Sequence, residues 1–340
     1  MDVGDVGYGP IPLSARPGDA RRAVARYREG VIRRLVATMF PIVMVLAVVS
    51  GCGSAGTAPA RELVLGAPDD PALRVVAQIY GGALRGAGAQ VAERLRLADD
   101  RALLSDMDRL EVDLFPAFSG ELLGLLAPEV TPIFGVDVYD ELNRSLPQGV
   151  SVGDATTVSA VPQVFVAADL ARTSGVTELA QCGQLPAGLP VAVVGQPDER
   201  VLRSFVDAGC RFGPVERLAS SAQVLSRVSG GSAVGVVTPL DAAAGDAGAV
   251  QALSVPQPSA DAPTSTATEK TDRPVIGPRA QDLVPVYRTA ALTADQVKAI
   301  NKVAGELTTA DLATMAGQAR DGTDPTVIAG GWLSEHELRN

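Results

Sequence analysis

From Arg61 onward, apolar residues alternate between short clusters and helix-spaced faces. Leu63-Val64-Leu65 reads as a buried strand, and Asp69-Asp70-Pro71 follows with a cap and a proline suited to the first helical turn. Val75, Val76, Ile79 and Leu84 then line one face of a helix that ends near Gly86 and Gly88. A second strand is expected over Gln90 to Leu97, and Asp99 opens a helix whose apolar side holds Leu103, Leu104, Met107 and Leu110. Val112-Asp113-Leu114-Phe115-Pro116 returns as a third strand. Strand, helix, strand, helix, strand predicts a parallel sheet with right-handed crossovers.

The alternation starts again after Thr156. Strands are expected at Val161 to Ala167, Leu189 to Gly195 and Ala233 to Thr238, with helices around Glu199 to Ala208 and Ala222 to Val228. Two such units in one chain predict two lobes. Ser254 to Pro274 is dominated by Pro, Ser, Thr, Ala and Asp, the composition of a flexible surface insertion. Regular structure is expected to resume at Leu283-Val284-Pro285-Val286-Tyr287. Beyond it, Thr293 and Gln296 form a capping-box pattern, with Val297, Ile300 and Val303 facing inward.

The segment before residue 61 follows a different logic. Arg33 and Arg34 precede an uncharged apolar run from Leu35 to Val49, which ends at Ser50-Gly51-Cys52. The run is shorter than the ~20 residues a membrane span needs. Its charged flank and small-residue exit are those of a secretory signal. Cleavage before Cys52 would make that cysteine the new N-terminus, placed for lipid attachment, and Gly53 to Ala60 would serve as a tether. The expected location is therefore outside the cytoplasm, anchored to the cell membrane through Cys52. The residues ahead of Val31 exceed what such a signal needs. Export also permits a disulfide between Cys182 and Cys210, although two buried free thiols fit the sequence equally well.

Composition narrows the function classes. The 340 residues are 46% hydrophobic and 20% charged, which suits one or two sizeable cores rather than a disordered chain. A net charge of -10, with Lys only at 270, 298 and 302, argues against coating nucleic acid. The balance is compatible with attracting a cationic solute. The single histidine is His336, so neither a Ser-His-Asp triad nor a His-based metal site is supported. No phosphate-loop, dinucleotide-binding or nucleophile-elbow context, with the strand-to-helix turn such motifs need, appears either. Asp99, Asp100, Asp106 and Asp108 share one helix and read as a solvated face. An enzyme, a metal and a cofactor are not expected.

Four stretches together resemble the OpuAC/ProX type of substrate-binding protein, which serves ABC importers of glycine betaine and related osmoprotectants. Leu63 to Leu97, with Ala77-Gln78-Ile79-Tyr80 and Leu84-Arg85-Gly86-Ala87-Gly88, is similar to the family's opening strand, helix and strand. Val112 to Gly120 resembles its D-L-x-P-E-Y-T-G segment. Leu283 to Arg288 and Leu307 to Leu312 resemble the late return strand and helix. Asp324-Pro325-Thr326-Val327-Ile328-Ala329 before Trp332-Leu333 resembles its ending.

The resemblance implies an α/β type II periplasmic-binding-protein fold, in which two lobes joined by a two-strand hinge close on a solute. The boundaries it implies are a signal with an N-terminal extension at 1–51, a lipidated tether at 52–60, lobe 1 at 61–155 and lobe 2 at 156–239. A connecting segment at 240–282 contains the insertion 254–274, and 283–340 returns through the hinge to lobe 1 helices. By position, Asp69, Asp70, Phe118 and Ser119 would line the cleft from lobe 1, and Thr156, Thr157 and Thr238 from the other side. Each also has a plainer reading. Asp69 would be a helix cap, Phe118 a core ring and the threonines strand ends. Arg200 reads as a solvated helix residue, and Tyr80 and Trp332 as core.

Aromatic residues, the usual partners of a quaternary ammonium through cation–π attraction, are few here, and Phe118 and Ala117 stand where the family has tyrosine and glutamate. The expected ligand is a small quaternary-ammonium, zwitterionic or other compatible solute. The expected partners are an ABC permease and, through the lipid, the membrane, with the protein itself a monomer. The alternative is an envelope lipoprotein that keeps the fold for protein contact.

Overall fold

The computed structural model describes residues 61–243, 249–255 and 277–338. The signal run, Cys52, the tether and most of the insertion at 254–274 lie outside the described residues.

Lobe 1 begins with β1 (Gly66–Ala67), α1 (Pro71–Gly86), β2 (Arg96–Leu97), α2 (Asp100–Asp108) and β3 (Leu114–Phe118). It continues with α3 (Ser119–Leu126), α4 (Gly135–Ser145) and β4 (Val150–Val152). Asp70 caps α1 by accepting from Leu73 N, and Pro71 occupies the first turn, where its missing N–H is harmless. Val75, Val76, Ile79, Tyr80 and Leu84 are fully buried along one side of α1. Burial of aliphatic side chains of this size contributes about 1.5–3 kcal/mol each, so α1 is the axis of the lobe 1 core.

β1 and β2 are parallel, as expected, and a parallel bridge between Leu65 and Leu114 ties them to β3. The strand expected over Gln90 to Leu97 shortens to Arg96–Leu97 and an isolated bridge between Leu63 and Val91. Glu93 and Arg94 between these pairings are exposed, so this edge gains no apolar burial that would extend the ladder.

Lobe 2 comprises β5 (Gln163–Ala167), α5 (Ala168–Ser174), a 3-10 turn at Leu179–Gln184, β6 (Leu189–Val194) and α6 (Glu199–Asp207). It continues through β7 (Phe212–Leu218), α7 (Ser221–Ser229), β8 (Val234–Val237), α8 (Pro239–Ala242) and β9 (Val250–Ala252). These five strands form one sheet in the order β7-β6-β8-β5-β9. β6 is parallel to both neighbours, whereas β5 runs antiparallel to β8 and β9. Lobe 2 therefore does not stop at residue 239, because β9, within the predicted connector, supplies its edge strand. Cys182 and Cys210 are joined, with Cα atoms 4.8 Å apart, fastening the 3-10 turn to the approach of β7.

The chain returns through β10 (Leu283–Arg288), then α9 (Ala294–Glu306), α10 (Thr309–Arg320) and α11 (Pro325–Glu335), which pack around α1. β10 lies antiparallel between β3 and β4, so the lobe 1 sheet is mixed rather than purely parallel. Two adjacent extended passages cross between the lobes. Thr156 N donates to Leu283 O at 2.9 Å, Leu283 N to Val158 O at 3.2 Å and Ala160 N to Gln281 O at 3.0 Å. A third link is apolar, since Leu240 at the start of α8 joins the lobe 1 core cluster that includes Val158, Leu312 and Ala313.

Candidate ligand-binding site

Strands β1, β2 and β3 all point their C-terminal ends toward one region, and a helix starts just beyond each. Open α/β sheets place ligands at such strand ends. A cavity of about 520 Å³ lies there. Pro68, Asp70 and Leu73 supply one side, Asp99, Asp100 and Arg101 a second, and Phe118, Glu121 and Leu125 a third.

Carboxylates dominate its polar groups, and their positions follow from helix chemistry. Asp70 and Asp99 are N-caps, accepting from Leu73 N at 3.0 Å and Ala102 N at 2.8 Å. Asp100 and Glu121 occupy first turns, where the helix dipole favours negative charge. The Asp100 Oδ1 atom is nonetheless buried without a hydrogen-bond partner. Burial, then the charges of Glu121 and Asp99, push the Asp100 carboxyl up to about 7.

Glu121 is exposed at the cavity rim. Its carboxyl is nevertheless held above the usual range by the surrounding protein mass and by Asp70 and Asp198. Asp198 belongs to lobe 2, on the loop between β6 and α6, so the second lobe presents a further negative charge toward the same wall. Desolvation, and then the charge of Arg200, lowers the proton affinity of Arg279, which donates to Gly120 O and Val130 O.

The sequence-predicted residues separate into two groups. Asp70 and Phe118 line the cavity. Asp69 is exposed and pairs with Arg74 at 3.6 Å. Ser119 is buried, donating its N–H to Asp282 O and accepting at its hydroxyl from Asp282 N, so the side chain is turned to the crossing strand. The Thr156 hydroxyl accepts from Val158 N, and Thr157 donates to Leu307 O. Both threonines therefore brace the hinge. Thr238 caps α8, accepting from Asp241 N at 3.0 Å and donating to the Asp241 carboxylate at 2.9 Å. These four hydroxyls are committed to local structure and none lines the cavity.

Gly120, next to Ser119, has a packing reason: a Cβ there would collide with the Ala280 carbonyl of the second crossing strand. Asp99, Asp100, Glu121 and Asp198 were not singled out as ligand residues by sequence. The solvated-face reading also fails for Asp106, which is buried and held by Arg96 and Arg109. Arg200 is exposed as expected, and Tyr80 and Trp332 are core residues.

Neither a family model nor a curated protein matches the sequence. Solved structures do. Apo YehZ from Escherichia coli aligns over 82% of this chain and 100% of its own, with 16% identity and a TM-score of 0.61. A glycine betaine/carnitine/choline ABC transporter structure aligns over the same shares at 13% identity, with a TM-score of 0.63. The fold is the type II periplasmic-binding-protein fold.

Within this periplasmic-binding fold, the acid-lined cavity occupies the lobe 1 wall of the interlobe region. A second cavity, of about 560 Å³, opens elsewhere between α1 and α11. Gln78, Arg85, Thr326 and Ser334 line it beside Gly82, Gly86, Gly330 and Gly331, but it lies among the lobe 1 helices and not at the strand ends where open α/β sheets place ligands.

Proposed function

We propose that this protein is the solute-binding component of an ABC importer, holding a small polar or cationic solute between its lobes and delivering it to a permease. The single observation that carries the reading is the 520 Å³ cavity at the C-terminal ends of β1, β2 and β3, faced by Asp198 of the second lobe. Helix starts and carboxylates converge there while the hinge residues are withdrawn into structural hydrogen bonds. A pocket with a few oriented polar groups on a rigid scaffold suits capture and release. The cavity lining holds carboxylates but no histidine, and no group of side chains able to hold a metal ion occurs among the described residues, so the site gives no support to catalysis.

The sequence signal supports delivery at the outer face of the membrane. In this reading Cys52 carries a lipid, and the monomeric binding domain meets the permease from there. Replacing Cys52 with Ser is expected to abolish incorporation of a labelled fatty acid; retained labelling would refute that assignment.

Solute capture is tested by thermal shift against betaines, choline, carnitine, polyols, polyamines and amino acids. A ligand present at 100 times its Kd is expected to stabilise the protein by about 2.7 kcal/mol. An unchanged melting curve across the whole panel would remove the basis for this function and favour a fold retained for protein contact.

A further inference from the structure

Assuming that the interlobe cavity is the solute site, we propose that it selects a small organic cation carrying ammonium N–H donors, a primary amine or diamine, over a quaternary ammonium or a betaine. Three features of the cavity lead there. The first is charge: Asp70, Asp99, Asp100 and Glu121 line it against Arg101 alone among basic residues, and Asp198 acts on it from the other lobe. A betaine carboxylate would enter a wall that already holds four carboxyl groups, and like charges at close range oppose binding.

The second feature is the shortage of rings. Phe118 is the one aromatic side chain in the lining, so the several aromatic faces that hold a trimethylammonium group by cation–π attraction are not assembled here. The third is the unpartnered Asp100 Oδ1. Asp100 lines the cavity while this oxygen is shut off from solvent without a hydrogen bond, so a carboxylate that turns toward a ligand bringing a donor regains a partner, and an ionised donor makes the stronger bond. A methylated nitrogen has no N–H to give. The raised proton affinity of Asp100 agrees with this, since burial and then the charges of Glu121 and Asp99 disfavour its ionised form in the empty protein.

The test is isothermal titration of the full-length protein with putrescine, with its hexamethylated bis-quaternary analogue, and with choline and glycine betaine. Putrescine and the analogue carry the same charge on the same carbon spacing and differ in N–H donors. Putrescine is expected to bind at least tenfold more tightly than the analogue, choline or betaine. Asp100→Asn is expected to weaken putrescine at least tenfold, with an unchanged far-ultraviolet circular dichroism spectrum showing that it folds.

Equal or tighter binding of the analogue, choline or betaine would overturn the donor requirement while leaving solute capture standing. The same holds for binding of an anion, polyol or amino acid from the wider panel with none by putrescine. Silence from every compound would overturn both readings. Should Asp100→Asn fail to fold, Glu121→Gln, at the exposed rim, provides the second variant, and undiminished putrescine affinity there would count against the acidic wall.

Discussion

Replacing Asp100 with Asn is expected to stabilise the unliganded protein, the opposite of what most substitutions do. In the folded chain this carboxyl titrates at about 7, against an ordinary 3.8. Well below the ordinary value of 3.8 it is protonated in both folded and unfolded chains and makes no difference. As pH rises toward 7 the unfolded chain releases the proton freely while the folded chain resists, so stability falls; above 7 the loss is complete. A displacement of about three pH units corresponds to an upper limit of roughly 4 kcal/mol at 1.36 kcal/mol per unit. Because the side chain is only partly buried, about 1–3 kcal/mol is the working expectation.

Urea unfolding of both proteins at several values between pH 4 and 8 measures the difference. The Asn variant should be the more stable at pH 8, and the gap should shrink steadily toward pH 4. For a chain of this size each kcal/mol shifts the melting temperature by about 2–4 °C. An Asn variant less stable than its parent at pH 8, or a gap indifferent to pH, would refute the reasoning. The result bears on function because a charge left uncompensated in the empty protein is available to be neutralised by a ligand.

Other outcomes follow from the scaffold. Asp113 is buried between Arg288 and Arg61 and also accepts from Val64 N, so Asp113→Ala strands a mostly buried guanidinium and should destabilise by about 3–5 kcal/mol in denaturant titration. An unchanged midpoint would show that the cluster contributes little. Opening the Cys182–Cys210 bond, whose partners are 28 residues apart, should remove about 3–4 kcal/mol in the chain-entropy account, read as a lower melting temperature under reductant. Insensitivity to reductant, with both thiols alkylated, would contradict that.

Much of the architecture was legible from local rules. The 3.6-residue spacing of Val75, Val76, Ile79 and Leu84 and the Asp70-Pro71 start specify α1, and Thr293 with Gln296 specifies the beginning of α9. Such signals operate within a few residues of chain, where side-chain caps and one-sided burial do not depend on distant partners. Short strands were harder. β9 is three half-buried residues beside small ones, and it exists because β5 offers it an edge.

The binding wall belongs to the same divide. In sequence, Asp99 and Asp100 are two acidic residues at a helix start, Glu121 sits one turn into another helix, and Asp198 lies some eighty residues further on. The sequence alone marked Asp70 and Asp99 as helix starts, because capping acts locally, and gave no sign of the helix that carries Glu121. Only the tertiary structure decided that the helix starts meet at one cavity, that Asp100 loses its water there, and that Ser119, Thr156, Thr157 and Thr238 turn their hydroxyls to hinge and cap. Desolvation and charge crowding depend on which chain segments come together in space, and local sequence carries no record of that.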